Sequence, residues 1–139
     1  MQFVKINYPD IYLLEKFVSI AGTSLETFRY FAKRPFSVIQ QHVCTFVLCE
    51  ENEPLAYGHL DKEDGTVWLG IAVIEKAKGK GIGKLMMEQL LSFARQQNIK
   101  SIGLSVDNDN STAINLYLNL GFKLIEEKEK FSFYQLDIK

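Results

Sequence analysis

The sequence is short of cysteine, has no long apolar run and carries almost no net charge. Two cysteines among 139 residues exclude a small scaffold held by disulfides. The longest apolar run, residues 67–74, is far below the roughly 20 residues that a membrane-spanning helix needs. The formal net charge is −1, from 16 basic and 17 acidic side chains, so the basic excess typical of nucleic-acid binding is missing. We therefore predict neither a membrane nor a nucleic acid as partner.

The two cysteines, Cys44 and Cys49, lie in one predicted strand and cannot pair with each other. Their odd offset places them on opposite faces, roughly 16 Å apart at about 3.3 Å per residue, whereas a disulfide needs Cα atoms within about 7 Å. Neither follows a glycine turn or begins a helix, which disfavours a catalytic thiol. Buried free thiols, and a start without a basic segment followed by an apolar one, predict a cytoplasmic protein without a secretory leader.

Length and composition predict one compact domain over residues 1–139. A chain of this size buries roughly two-thirds of its unfolded surface, so it needs neither a metal nor a disulfide to fold. All three prolines fall in the first 54 residues, and five of the nine glycines lie between Gly65 and Gly83. No repeat or linker marks a domain boundary, and we predict no metal site.

Hydrophobic periodicity and turn residues predict the element order β-α-α-β-β-β-α-β-α-β-β. The predicted helices cover residues 11–20, a short stretch from Ser24 to before Pro35, 81–97 and 112–120. The predicted strands cover residues 3–7, 43–49, 55–61, 66–74, 101–106, 122–127 and 131–138. Asp64-Gly65 predicts a hairpin, and the crossover over 66–106 requires parallel pairing of its two strands. We expect an α+β three-layer domain with a mixed, mostly antiparallel sheet and helices on both faces.

The segment with the strongest functional signal joins a buried strand to a helix and reads Lys78-Gly79-Lys80-Gly81-Ile82-Gly83-Lys84. Glycines let backbone N–H groups converge on a ligand, and the first turn of a helix presents unpaired N–H groups with a partial positive charge. Three lysines add formal charge at the same place. These features predict a cradle for a pyrophosphate, with a flexible basic turn as the alternative.

Two common phosphate-binding motifs do not fit this loop. A Walker loop needs glycine at position 78, where a lysine stands, and Ser or Thr at position 85, where a leucine stands. A dinucleotide-binding Gly-x-Gly-x-x-Gly would have Lys84 at its third glycine. Asp107, at the end of the next predicted strand, could take the place of the ribose-binding carboxylate of that fold. However, the chain has one strand–helix–strand crossover, whereas a dinucleotide-binding fold repeats this unit.

Two motifs in this order resemble the signatures of the GNAT N-acetyltransferase superfamily. The loop Lys78-Gly-Lys-Gly81-Ile-Gly83 is similar to the Arg/Gln-x-x-Gly-x-Gly/Ala loop that binds the pyrophosphate of acetyl-CoA. Lys78 replaces the usual Arg or Gln, which keeps a charge but loses the bidentate fork of arginine. The second segment matches Asn-x-x-Ala-x-x-Leu-Tyr-x-x-x-Gly-Phe and reads Asn110-Ser-Thr-Ala-Ile-Asn-Leu-Tyr117-Leu-Asn-Leu-Gly-Phe122.

The resemblance implies an acetyl-CoA-dependent N-acetyltransferase whose cofactor arm pairs with the strand over 67–73. Backbone groups of Ile71, Ala72 and Val73 would hold the arm, and an N–H there would polarise the thioester carbonyl. Tyr117 matches the general acid that protonates the departing thiolate, and Asn110 matches a residue that contacts the arm. A core aromatic and a helix N-cap are the respective alternatives. The residues expected to bind the pyrophosphate are Lys78, Gly79, Lys80, Gly81, Ile82, Gly83 and Lys84.

The general base is less defined, because the strand over 67–73 has no ionisable side chain where many family members place a glutamate. On the preceding strand, Tyr57, His59 and Asp61 share one face by alternation. His59 titrates near neutrality and is a candidate to pass a proton through water, and Asp61 is the second candidate. A structural role for His59 and direct proton loss to water remain the alternatives.

The acceptor pocket is expected from the first two helices and the loop that follows, which cover the open side of the cleft in this family. An aromatic and arginine cluster there suits a polar ligand with a flat or ring-shaped body, whereas a helix core with solvated arginines is the alternative. The candidates are Phe28, Arg29, Tyr30, Phe31 and Arg34.

The predicted reaction is acetyl transfer from acetyl-CoA to the primary amine of a small molecule, by direct attack in a ternary complex. An amino sugar or a related metabolite is favoured over a peptide or protein amine. A non-catalytic CoA-binding module on the same fold is the competing hypothesis. The sequence leaves the oligomeric state open, a homodimer included.

Overall fold

The structure is a computed structural model that describes residues 1–138. Its α-helices are α1 (Ile11–Ile20), α2 (Ile82–Gln96) and α3 (Ser111–Asn119). Its strands are β1 (Gln2–Lys5), β2 (His42–Glu50), β3 (Glu53–Glu63), β4 (Thr66–Val73), β5 (Ser101–Asp107), β6 (Lys123–Glu127) and β7 (Phe131–Asp137). The strands form one sheet in the order β1-β2-β3-β4-β5-β7-β6. Every neighbouring pair is antiparallel except β4 and β5, which confirms the predicted mixed, mostly antiparallel sheet.

Two consecutive residues of β3 show that helices cover both faces of the sheet. Tyr57 packs against Phe17 of α1, with ring centroids 5.9 Å apart. Gly58 faces α2 on the opposite side, where an added Cβ would lie 2.6 Å from the Sδ atom of Met86. Only a glycine at this position lets α2 approach the sheet so closely. This arrangement is the predicted three-layer α+β domain.

The prediction of a second α-helix before Pro35 is wrong. The chain there forms short 3₁₀ turns over Gly22–Glu26, Tyr30–Ala32 and Phe36–Gln41. The Ser24 hydroxyl, at the start of the predicted helix, donates a hydrogen bond to the carbonyl of Val73 at the end of β4. A helix this short has little stability of its own, so tertiary contacts decide the local conformation.

The parallel pairing of β4 and β5, predicted from the crossover, is present near the start of both strands. Trp68 pairs with Gly103, and the indole ring lies over Gly103, where an added Cβ would be 3.2 Å from the Cζ3 atom of Trp68. Trp68–Gly103 is the single backbone pair that these two described strands form. The strands therefore separate toward their carboxyl ends, Val73 and Asp107, and leave a gap in the sheet.

Turn residues adopt the expected conformations. Asp64 and Gly65 connect β3 to β4 with φ angles of 51° and 81°, as a two-residue hairpin loop requires. Cys44 and Cys49 are buried free thiols, which confirms that prediction. Among the described residues, no helix is long and apolar enough to cross a membrane.

Candidate active site

The glycine–lysine loop before α2 borders open space. Gly79 and Gly81 have φ angles of 79° and 76°, in the left-handed region that favours glycine. A Cβ added to either residue would meet no atom within 4 Å. Gly81 is the N-cap of α2 and supplies no side chain, so N–H groups of the first helical turn are free to bind an anion. Exposed lysines at positions 78, 80 and 84 add positive charge around it.

The first turn of α2 lies between the end of β4 and α3. A Cβ added to Gly83 would lie 3.6 Å from the Cδ2 atom of Leu116 and 3.7 Å from the Cγ2 atom of Val73. The three segments that the two sequence motifs singled out are therefore in contact at one end of the gap between β4 and β5. The open cradle and its position fit the pyrophosphate and the arm of acetyl-CoA.

The edge of β4 that faces the gap is formed by alternate residues. The N–H of Ile74 donates to the carbonyl of Leu55 at 2.9 Å, so the backbone groups of Ile74 point toward β3. By alternation, those of Ala72 also point toward β3, whereas those of Ile71 and Val73 point into the gap. Of the three predicted arm-binding residues, Ile71 and Val73 therefore face the gap. The carbonyl of Val73 already accepts the Ser24 hydroxyl, so Val73 offers its N–H alone.

Tyr117 of α3 is buried with its hydroxyl protonated. The residue is 7% exposed, and burial raises the pKa of Tyr117 to about 12. Within residues 1–138 the hydroxyl has no hydrogen-bond partner, and that part of the chain encloses no unpaired side-chain N or O atom. The hydroxyl therefore reaches solvent while most of the ring is covered, which suits a proton donor at neutral pH.

Asn110 caps the N-terminus of α3, which was the alternative to a contact with the cofactor arm. Its Oδ1 atom accepts a hydrogen bond from the N–H of Ala113 at 3.3 Å, so Asn110 is the N-cap of α3. Because α3 follows β5 directly, this cap fixes the start of the helix that carries Tyr117. A contact with the cofactor arm stays a prediction.

His59 lies on the face of the sheet opposite α2, over a glycine of β4. Its Nδ1 atom is 2.6 Å from the hydroxyl oxygen of Tyr57. A Cβ added to Gly70 would lie 2.7 Å from Cε1 and 2.9 Å from Nε2 of the imidazole. Burial, together with the neighbouring His42, lowers the pKa of His59 well below its ordinary value. The imidazole is therefore neutral at neutral pH, and its Nε2 edge lies over Gly70, the residue before Ile71 in β4.

Asp61 belongs to a chain of hydrogen bonds on the same face. The Tyr30 hydroxyl donates to Oδ2 of Asp61 at 3.0 Å and lies 2.8 Å from Nε2 of His42. The Nδ1 atom of His42 is 2.8 Å from the Thr45 hydroxyl. Sequence reasoning missed His42 and Thr45, because their position depends on the pairing of His42 with Asp61 between β2 and β3, which no local motif reports.

The predicted pocket residues lie in three different places. Phe28 and Phe31 pack on Tyr57, with ring centroids 5.3 and 5.5 Å from it, and so belong to the layer between α1 and the sheet. The Arg34 guanidinium lies 4.2 Å from the ring centre of Tyr30, at the same hydrogen-bond chain. Arg29 instead forms an ion pair with Asp107 at the end of β5.

A model of the acetyltransferase (GNAT) family matches residues 9–122 of the chain. The chain belongs to the acetyltransferase (GNAT) family. The matched range contains the glycine–lysine loop and the Asn110–Phe122 segment, so the resemblance seen in these two motifs is confirmed.

Curated relatives match part of the chain. Spermine/spermidine N(1)-acetyltransferase from Bacillus subtilis is 40% identical over 65 residues, which are 45% of this chain and 43% of that protein. Mycothiol acetyltransferase from Renibacterium salmoninarum is 32% identical over 63 residues, which are 45% of this chain and 19% of that protein. The chain therefore spans less than half the length of these relatives.

Solved GNAT structures share the whole fold. A putative acetyltransferase from Salmonella typhimurium, solved with its cofactor acetyl-CoA, has a TM-score of 0.76 and 18% sequence identity. The alignment covers 100% of this chain and 94% of that one. This likeness extends over the sheet and helices described above and confirms the fold.

Proposed function

We propose that residues 1–139 form one acetyl-CoA-dependent N-acetyltransferase domain, which transfers the acetyl group to the primary amine of a small molecule in a ternary complex. The observation that carries this proposal is the convergence of three features at the gap between β4 and β5. These are the open glycine cradle, the gap-facing backbone groups of Ile71 with the N–H of Val73, and α3 with Tyr117. The Salmonella structure with acetyl-CoA supports the same cofactor here.

The cofactor supplies a thioester-activated acetyl group, and the chain binds and orients it. The N–H groups over residues 81–84, with Lys78, Lys80 and Lys84, would hold the pyrophosphate. Ile71 and Val73 would pair with the arm as a neighbouring strand does. The N–H of Ile71 would then polarise the acetyl carbonyl, because a fixed donor stabilises the charge that develops on that oxygen.

Tyr117 is the proposed general acid. A hydroxyl with a pKa of about 12 is fully protonated at neutral pH and can give its proton to a thiolate that leaves within hydrogen-bond distance. The solvent-reaching hydroxyl and the contact of α3 with the cradle through Leu116 support this role.

The acceptor would enter from the opposite face, beside His59, Asp61, Tyr30 and Arg34. The pairing register of β3 and β4 places the two candidate bases, His59 and Asp61, at different distances from Ile71. His59 pairs with Gly70, one residue from Ile71, whereas Asp61 pairs with Trp68, which is three residues and roughly 10 Å from Ile71 along β4. We propose that the amine's proton leaves through water toward Asp61, while His59 contacts the acceptor itself. The acceptor stays a small-molecule amine, with an amino sugar or related metabolite favoured. The spermine/spermidine and mycothiol acetyltransferases among the relatives add polyamines and mycothiol chemistry as comparisons.

The test is thiol release from acetyl-CoA over a panel of amino sugars, amino alcohols, polyamines and a peptide amine, with calorimetric binding of acetyl-CoA to the same preparation. Turnover with at least one small amine supports the proposal. Tight acetyl-CoA binding without turnover on any amine would instead support a non-catalytic CoA-binding module. Absence of acetyl-CoA binding would remove the assignment of the cradle.

A further inference from the structure

The hydrogen bond between Tyr57 and His59 has a determined direction. Tyr57 is fully buried, and its hydroxyl has one partner within residues 1–138, the Nδ1 atom of His59 at 2.6 Å. If Nδ1 carried the proton and donated to Tyr57, the phenol proton would be left buried without an acceptor. A buried unpaired donor is costly, so the phenol donates to a bare Nδ1, and the proton of the neutral imidazole is on Nε2.

The same reasoning applies to the second histidine. Asp61 accepts the Tyr30 proton, so the oxygen of Tyr30 must accept from Nε2–H of His42. The Nδ1 atom of His42 is then bare and accepts the Thr45 hydroxyl proton. Each hydrogen bond from Asp61 to Thr45 then has one donor and one acceptor. For a neutral His42 ring, only the Nε2–H tautomer satisfies all of these bonds.

We propose that Tyr57 holds His59 as the neutral Nε2–H tautomer, and that His59 donates a hydrogen bond to the acceptor substrate and does not act as the base. The Nε2 edge lies over Gly70, and the next residue of β4 is Ile71, whose N–H would bind the thioester carbonyl. The Nε2 atom has no partner among the described residues and is not an enclosed unpaired atom, so its N–H is free to bind a ligand. The role at the acceptor rests on the proposed function, whereas the tautomer does not.

The groups around His59 keep the ring uncharged. The rings of Tyr30 and His42 lie 4.4 and 4.5 Å from it, and Tyr57 binds its Nδ1 atom. Of the nearby charges, Arg34 lowers the pKa of His59 after burial and His42. Asp61 is the nearest carboxylate on β3, but its Oδ2 atom is bonded to Tyr30. No carboxylate among residues 1–138 bonds to the imidazole, so nothing stabilises the imidazolium.

A fixed N–H donor beside the reacting amine selects a chemical class of acceptor. An N–H pointed at the amine lone pair would weaken the nucleophile, so the donor is useful when the acceptor carries an oxygen next to that amine. We therefore assign the acceptor to vicinal amino alcohols, with the hydroxyl or ether oxygen on Nε2–H of His59, a class that includes amino sugars and excludes simple polyamines.

The tautomer is measured by ¹⁵N NMR of histidine-labelled protein at pH 7, without substrate. The chain has 2 histidines, and His42→Gln assigns the signals. We expect both rings as neutral Nε2–H tautomers, and we expect Tyr57→Phe to release His59 into a mixture while His42 stays unchanged. A His59 ring with its proton on Nδ1, or one that titrates near pH 6.5, would overturn the proposal.

A matched pair of variants tests the donor. His59→Gln keeps an N–H at the position of Nε2, whereas His59→Asn keeps a partner for Tyr57 at the position of Nδ1 and lacks that donor. With an amino alcohol as acceptor, we expect His59→Asn to lose at least about tenfold in kcat/KM and His59→Gln to stay within about threefold. With the matched amine that lacks the oxygen, we expect the difference in kcat/KM between the two variants to disappear, and the KM for acetyl-CoA should not move.

Two results would contradict the donor role. These are equal losses in His59→Gln and His59→Asn at unchanged melting temperature, or a difference between the two variants that is the same with and without the oxygen on the acceptor. If the native protein acetylates no amine in the panel, the proposed function fails by itself, and the NMR measurement still decides the tautomer.

Discussion

Arg29 and Asp107 lie 78 residues apart in the chain and are joined by two hydrogen bonds of 3.1 and 3.3 Å. Asp107 ends β5, and Arg29 lies in the segment between α1 and β2. The same segment donates a hydrogen bond from Ser24 to Val73 at the end of β4. It is therefore attached to both strands that border the proposed cofactor gap, which fixes the position of Tyr30 and the acceptor side relative to that gap.

The first prediction concerns the energy of this ion pair. The side chain of Arg29 is 58% exposed, so water and salt screen the attraction, and we expect a coupling below about 1 kcal/mol. The measurement is a double-mutant cycle with Arg29→Gln and Asp107→Asn in urea unfolding. The variants should raise the acceptor KM and change the free energy of unfolding by less than about 1 kcal/mol. A coupling energy well above about 1 kcal/mol would show that the pair stabilises the fold itself.

The second prediction concerns the cradle. Gly81→Val places a side chain where the backbone meets the pyrophosphate, and it also forces valine to adopt a φ angle of 76°, which L residues disfavour. We expect the acetyl-CoA Kd, measured by calorimetry, to rise at least about tenfold, which is about 1.4 kcal/mol.

Gly65→Val is the matched control for this variant. Gly65 has a φ angle of 81° and nothing within 4 Å of an added Cβ, but it lies in the hairpin between β3 and β4, away from the cradle. Its backbone strain is similar, and its acetyl-CoA Kd should stay at the native value. An equal rise in both variants would mean that strain, and not contact with the ligand, explains the effect.

Local sequence signals predicted the parts of the site that are continuous in the chain. The start of α2 near Gly81 and the place of Tyr117 on α3 each depend on one strand–loop–helix segment whose residue types determine its conformation. The boundaries of α1 were predicted to the residue for the same reason, since its apolar spacing and flanking residues are local.

The parts that were missed depend on pairing between distant segments. His42 and Thr45 reach the Tyr30–Asp61 pair through the register of β2 on β3, with one irregularity after His42, and no periodicity reports such a register. The predicted second helix failed for a related reason. Ser24 has a helix-capping side chain, but a bond to Val73, 49 residues away, outweighs the local preference.

The third prediction concerns the contact between Gly70 and His59. An added Cβ would lie 2.7 Å from the imidazole, so Gly70→Ala must displace the ring or part the strands. We expect a loss of about 1–3 kcal/mol in unfolding free energy and a lower kcat/KM for the acceptor. His59→Ala removes the clash, so in the double variant the effect of Gly70→Ala should nearly vanish. If the losses of unfolding free energy in the two single variants simply add in the double variant, the cost of Gly70→Ala does not come from its contact with His59.

The fourth prediction concerns stability in acid. Burial lowers the pKa of His42 to about 4, below the value of about 6.5 for an exposed histidine. Between these values the unfolded state binds more protons, so the stabilisation from neutral His42 is complete above about pH 6.5 and is lost as the pH falls toward 4. Asp61 opposes this shift, and Arg34 reinforces it.

His42→Gln isolates this contribution, because glutamine does not titrate and keeps an N–H for Tyr30. The urea midpoints of the native protein and the variant should converge as the pH is lowered from 7 to 5, since only the native protein loses the His42 contribution. Carboxylates remote from His42 act in both proteins and cancel in the difference, whereas the repulsion between His42 and His59 disappears with the substitution and counts as part of the His42 contribution. Midpoints that stay parallel over this range would show that His42 does not titrate in this way.

The last prediction separates chemistry from packing at Tyr117. Tyr117→Phe removes one hydroxyl and keeps the ring that contacts Phe122, 5.8 Å between centroids. If the hydroxyl protonates the thiolate, kcat should fall about 10²–10⁴-fold, while the acetyl-CoA Kd moves less than about threefold. The melting temperature should stay near the native value, because the hydroxyl bonds to nothing within residues 1–138. Tyr134→Phe, at another buried tyrosine of the sheet, is the control and should keep native kcat. Turnover of Tyr117→Phe within a factor of about three of the native rate would remove Tyr117 from the mechanism and leave protonation of the thiolate to water.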